Sequence, residues 1–194
     1  MMATLLERRL TGRQAHLRDA LVDLVLAQGF EHLTVDQVAA ELRCSKRTLY
    51  ALADSKEQLA VLAVRHFFKR STDQVEAAIA RTRAPARRVT RYLEAVAEAL
   101  RPASRAFRDD LAHFRPTAEI YEQNTAAAAQ RVRELIDEGT QAGAFRQVPA
   151  AFVGEVVTAT MRRITSGEIN AATGLTDAEA YAELASLVVA AIRR

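Results

Sequence analysis

Residues 43–50 read R-C-S-K-R-T-L-Y. Three cations, Arg43, Lys46 and Arg47, fall between Glu41 and Asp54 with no acid among them, and the hydroxyls of Ser45, Thr48 and Tyr50 stand beside them. Cationic groups next to hydroxyls grip phosphate oxygens, and a guanidinium held clear of its backbone can donate two parallel hydrogen bonds to O6 and N7 of a guanine. Thr34 and Lys56 extend the set, because each opens a helix, where free N–H groups and the dipole favour an anion. The chemistry within reach is recognition of a polyanion with readable edges.

Bond-making chemistry has no comparable support. The histidines at 16, 32, 66 and 113 form no HxxxH, HExxH or Glu-x-x-His arrangement, so no metal ligand set is expected. No G-x-S-x-G, P-loop or G-x-G-x-x-G occurs, and no cofactor is implied. Cys44, the one cysteine, lies in a turn between helices and reads as filler more readily than as a nucleophile; it excludes an internal disulfide and a thiolate metal cage. The expectation is a protein that binds and does not catalyse.

The elements that must position these residues are helical throughout. Four spacings of Ser or Thr with Gln or Glu three residues on, Thr11/Gln14, Thr34/Gln37, Ser55/Gln58 and Thr176/Glu179, predict reciprocal helix caps. Prolines at 85, 102, 116 and 149 punctuate the middle. The pattern predicts an all-α chain of about nine helices, near 11–28, 35–41, 45–52, 55–81, 86–101, 103–113, 117–141, 150–166 and 177–192. The first three are short, which predicts a small module over 1–54 and a larger helical domain over 55–194. In the first helix Leu17, Ala20, Leu21, Leu24 and Val25 share a face, ending at Gly29; in the second, Val35, Val38, Ala39 and Leu42 do. Only Arg43 and Cys44 separate Leu42 from the cap Ser45, so the two helices must turn sharply, as in a helix-turn-helix. On the third helix Leu49, Leu52 and Ala53 fall on the core side and Arg47 almost opposite. Five arginines between Ala77 and Leu93 read as a solvated face.

The stretches G-F-E-H-L-T-V-D-Q-V-A-A-E-L (29–42), C-S-K-R-T-L-Y (44–50) and D-S-K-E-Q-L (54–59) resemble the TetR family of bacterial transcriptional regulators. The resemblance implies that the first three helices bind DNA, that the remaining helices enclose an effector pocket, and that the last two make a four-helix bundle with a second copy. It further implies a repressor that binds a palindromic operator and is released by a small molecule. Two departures stand out: Arg43 occupies a turn position where the family often has Gly, and Ala51, Leu52 and Ala53 follow Tyr50 where polar or aromatic residues and a Phe are common. Leu52 is expected to fill the space of that Phe.

Within the larger domain, Val153, Val156, Val157 and Ile164 lie along one side of a helix with Phe152 beside them, and Tyr181, Leu184, Ala185, Leu187, Val188, Val189, Ala191 and Ile192 form a second wide apolar stripe, of which Tyr181, Leu184, Val188 and Ile192 are the interface candidates. Stripes wider than one neighbour needs predict a symmetric homodimer interface. For the pocket that the resemblance implies, the candidates are Phe67, Tyr92, Phe107, His113, Phe114, Tyr121, Met161 and Arg162, with Tyr121 foremost.

The whole-chain balance leaves the decision to these local patterns. The 194 residues are 49% hydrophobic, enough for a sizeable core, and 27 basic against 24 acidic residues give a net charge of only +3. No apolar run approaches the roughly 20 residues that span a bilayer. The start, M-M-A-T-L-L-E-R-R-L, lacks the apolar stretch of a signal peptide, so a cytoplasmic location is expected. The alternative reading is a helical dimeric interaction module that keeps the helix-turn-helix as scaffold without sequence-specific DNA binding.

Overall fold

Hydroxyl caps start six of the helices. The computed structural model describes residues 11–194, which form ten helices: α1 Gly12–Gln28, α2 Val35–Glu41, α3 Lys46–Tyr50, α4 Lys56–Ile79, α5 Pro85–Leu100, α6 Arg105–His113, α7 Arg115–Gln141, α8 Ala150–Thr165, α9 Glu168–Thr173 and α10 Asp177–Ile192. Thr11, Thr34 and Thr176 close full reciprocal boxes with Gln14, Gln37 and Glu179. The expected fourth box is half closed. Ser55 caps the Gln58 N–H, but the Gln58 side chain accepts from Asp54 N at 3.0 Å instead of turning back to Ser55. Ser45 and Ser104 cap α3 and α6 through the N–H groups of Thr48 and Phe107.

The one helix absent from the sequence pattern is α9. Its six residues lie between Gly167 and Gly174, both left-handed, and bury none of their side chains, so there is no apolar period to detect. No strand occurs among the described residues, and a single isolated bridge pairs Phe145 with Arg193. No described helix is long and apolar enough to cross a membrane. The reading of the first ten residues lies outside the described ones.

Two apolar cores divide within α4. The first gathers Leu21, Val22, Val25 and Leu26 of α1, Val38 and Ala39 of α2, Leu49 of α3, the first half of α4 as far as Phe68, and Phe107 and Leu111 of α6. The second gathers Val75 and Ile79 of α4 with α5, α7, α8 and α10. Burying a Leu or Val of this kind contributes about 1.5–3 kcal/mol. The buried face of α1 differs from the expected one. This helix packs against both α4 and α6, so it buries two adjoining rows, while Ala20 turns to solvent and Leu17 and Leu24 are half-buried.

The recruitment of α6 to the first core is fixed by polar contacts as well. Ser104 N donates to Leu26 O at 2.9 Å, and one carboxylate oxygen of Asp110 accepts from the backbone N–H groups of both Phe30 and Glu31. Gly29 makes this approach possible. Its φ is +80°, and a Cβ there would stand 2.5 Å from Asp110 Oδ2 and 3.2 Å from the backbone of Ala106.

A second polar knot joins the helices of the larger core. Arg131 of α7 reaches both carboxylate oxygens of Glu76 on α4, at 2.8 and 3.2 Å, and also Glu134 at 3.1 Å and Glu138 at 3.5 Å. Arg88 of α5 closes the knot on Glu138, and Arg91 pairs with Glu94 and Glu98. Two of the five arginines expected to form a solvated face are therefore held in ion pairs, while Arg81, Arg83 and Arg87 are exposed.

Candidate functional site

The α2–α3 pair turns through Arg43, whose φ of 48° makes it the one left-handed residue other than glycine among those described. The reversal is closed by backbone bonds from Arg43 N to Ala40 O and from Cys44 N to Ala39 O. The chain accepts backbone strain here where a glycine would relieve it. Leu49, fully buried, anchors α3, and Leu52 and Ala53 pack half-buried behind it. With that side fixed, Arg47 projects into solvent and Tyr50 is 43% exposed.

The structure engages several of the expected phosphate ligands elsewhere. Lys46 Nζ lies 2.7 Å from Asp36 Oδ1 of α2, and this hydrogen bond and charge pair hold its ammonium above the ordinary lysine pKa. The sequence window between Glu41 and Asp54 concealed that acid, because Asp36 comes near only when α2 folds back. Lys56 donates to Glu31 O. Thr34 donates to the Gln37 side chain at 2.9 Å, and the Ser45 and Thr48 hydroxyls bond each other at 2.8 Å. Among the described residues the ion pairs of this region, Arg18–Asp19, His66–Asp19, Lys46–Asp36 and Arg70–Asp23, leave out Arg43 and Arg47, which are both exposed. Arg43, Arg47 and Tyr50 thus form the outward part of the ridge.

Two cavities lie between the cores. The smaller, about 230 Å³, is walled by residues that include Tyr92, Tyr121, Met161 and Arg162, four of the expected set. The larger, about 470 Å³, takes in Phe67, Phe107 and Tyr121. His113 and Phe114 belong to neither. His113 is exposed at the end of α6, and Phe114 stacks edge-on against Phe30 with ring centroids 6.0 Å apart. The sequence reading overlooked Phe68, Leu100, Thr165 and Tyr181, which line both spaces, and the Glu76–Arg131 pair on the smaller one. Tyr181 carried a usable signal, a phenol on an otherwise aliphatic helix stripe, but the stripe drew it into the interface set.

That interface set separates by burial. Val157, Ile164, Tyr181, Leu184, Val188 and Ile192 are interior to the protomer, each 7% exposed or less, because α10 packs along α5 and α8 and uses its widest apolar face there. Val153 is half-buried. Phe152 at 68% and Val156 at 45% stand out from α8, and Leu187 at 67% stands out from α10. Phe152 and Val156, one helical turn apart, leave an apolar strip on α8, and Leu187 is a further exposed apolar side chain on α10, which packs against α8.

A sharp turn between two short capped helices, with an exposed guanidinium directed outward from the second, defines a helix-turn-helix protein. Residues 17–63, the helix-turn-helix and the start of α4, match the bacterial regulatory proteins of the tetR family. Its fold recurs in solved structures. A transcriptional regulator from Saccharomonospora viridis in complex with choline superposes with a TM-score of 0.79 at 16% identity, covering 94% of this chain and 98% of that one. The fatty acid degradation regulator FadR from Bacillus halodurans gives 0.74 at 12%, with 94% and 97% covered. AibR in complex with isovaleryl coenzyme A and operator DNA gives 0.63 at 16%, with 90% and 97% covered. At such identities the likeness is one of fold. No curated protein matches the chain significantly.

Proposed function

We propose that the protein is a ligand-responsive repressor that binds a palindromic operator as a homodimer and leaves it when a small molecule occupies the interior. Residues 1–54 serve as the DNA-binding domain and 55–194 as the effector-binding and dimerisation domain. The observation that carries this reading is the disposition of α3: Leu49 at 0% exposure fixes one side, and Arg47 extends exposed from the other. Such a helix suits a major groove about 12 Å wide, with Arg47 reading a base edge and Arg43 and Tyr50 on phosphates. Lys46 joins them by exchanging Asp36 for a phosphate. Lys56 at the start of α4 adds a sequence-independent contact.

The exposed side chains of Phe152, Val156 and Leu187 support pairing through α8 and α10. A two-fold pair would set two α3 helices about 34–36 Å apart, one turn of duplex, so that each reads half a palindrome. Solved relatives of this fold carry operator DNA, isovaleryl coenzyme A or choline, and the interior cavities give this chain space for an effector of its own.

The Lys46–Asp36 pair favours the rival reading, a dimeric scaffold without sequence-specific DNA binding, because it removes one cation from the ridge. Selection of duplexes from a random pool by the purified protein decides between them. The regulator enriches a palindrome and loses it steeply as log[salt] rises, through release of counterions from the contacted phosphates; the scaffold enriches nothing.

A further inference from the structure

Tyr181 is 2% exposed and its hydroxyl has no hydrogen-bond partner among the described residues. Thr165 lies close without completing that bond, and both residues line the two cavities at once. A buried hydroxyl left unpaired destabilises the empty protein unless something entering the cavity pairs with it. Burial also pushes the phenol well above its ordinary pKa, so it stays protonated and can donate. Tyr92 and Tyr121 are near enough to influence its charge and face the smaller cavity with it.

In the smaller cavity the charges are nearly cancelled, because Glu76 is taken on both oxygens by Arg131; the larger one is bordered by Glu94, Glu98, Arg101, Arg108 and Asp177. Arg131 is itself shared among Glu76, Glu134 and Glu138, so carboxylates already neutralise its charge. Arg162 borders the smaller cavity but is exposed to water, where it is already solvated. The rest of the wall is dominated by apolar side chains such as Phe68, Val96 and Met161.

Resting on the reading that the interior receives an effector, we propose that the effector is an uncharged, mostly hydrocarbon molecule with a carbonyl oxygen that accepts a hydrogen bond from Tyr181. Tyr181 lines the smaller cavity, and the apolar wall of that cavity takes the hydrocarbon.

Displacement of the neutral dye Nile red from the full-length protein tests this, with four competitors of matched length: 2-nonanone, its alkene isostere 2-methyl-1-nonene, nonanoate and nonyltrimethylammonium. The ketone is expected to compete best. Tyr181→Phe should weaken the ketone about fivefold, the loss of one neutral hydrogen bond, leave the alkene unchanged, and raise the melting temperature of the empty protein. Equal competition by ketone and alkene, stronger competition by either ion, or a ketone affinity indifferent to Tyr181→Phe would overturn the proposal, as would failure of both neutral compounds to displace the dye. Duplex selection on the same preparation keeps the two claims separate. A protein that selects DNA but ignores the ketone refutes only the ligand class, and one that takes the ketone without selecting DNA refutes only the regulator.

Discussion

Removing the Asp110 carboxylate should loosen the attachment of α6 to the helix-turn-helix module. Its Oδ2 accepts from Phe30 N and from Glu31 N, the latter at 2.9 Å. Two hydrogen bonds to an ionised acceptor contribute about 1.5–3 kcal/mol each when buried. Glu31 is exposed, so its N–H recovers water in the variant, whereas Phe30 is 6% exposed and its N–H recovers little. Asp110→Ala should therefore cost about 2–3 kcal/mol in urea unfolding, and Asp110→Asn, which keeps a neutral acceptor, about half as much. Gly29→Ala provides the complementary perturbation. The new Cβ meets Asp110 Oδ2 at 2.5 Å at a φ of +80°, which predicts a separate loss of about 1–3 kcal/mol. Removing the carboxylate removes the nearest clash, so the double variant should be less unstable than the sum of the singles by about 1 kcal/mol or more. Additivity within about 0.5 kcal/mol would refute the reasoning, because it would mean that Gly29 and Asp110 do not share one contact.

Arg47→Ala should cost about 1–3 kcal/mol of operator affinity and relax preference at the contacted base, while Lys56→Ala weakens all duplexes alike; equal losses on operator and random duplex for both, by fluorescence anisotropy, would contradict those roles. Arg43→Gly relieves a left-handed side chain, a gain of about 1–2 kcal/mol offset by about 0.5–1 kcal/mol of added unfolded-state freedom, so the urea midpoint should rise slightly; a lower midpoint would show that the turn is not strained. Leu187→Asp removes about 2 kcal/mol of apolar burial from each copy of a dimer, roughly a thousandfold in dissociation constant, without touching the protomer core. Sedimentation should then report monomers with an unchanged helical spectrum, and a dimer that persists would move the interface elsewhere.

The parts of this molecule legible in its sequence are those set by residues a few positions apart. Thr11, Thr34 and Thr176 announced their helices because a cap and its return partner lie three residues from each other, and Leu49 announced the inner side of α3 through the 100° step of the helix. Arg43 was legible as a turn residue standing where Gly is frequent in the family it resembles, and it adopts a positive φ. Illegible were features that depend on which helices become neighbours. Ala20 shares a helix face with Leu21 and still lies in water, since the position of α6 rotates the buried side of α1. Tyr181 and Leu187 belong to one apolar run, yet only packing against α5 and α8 sends the first inward to a cavity and the second outward.

The Asp110 contact shows why this second kind of information matters for the candidate site. Residues 30 and 31 and residue 110 carry no local pattern that links them, yet their bonds fasten α6 to the segment from which Glu31 O in turn holds Lys56. The same α6 contributes Phe107, Arg108 and Leu111 to the larger cavity. A side chain on that wall cannot move far along the helix axis while Ser104 N at one end and Asp110 near the other remain bonded to the first core. Displacement of α6 by an occupant must therefore either carry residues 26–31 with it or break those bonds. The first outcome disturbs the segment whose Glu31 O accepts from Lys56 at the start of α4. The second separates the cavity from the ridge, so the Asp110→Ala protein should still take up a cavity ligand while its duplex affinity responds less to it.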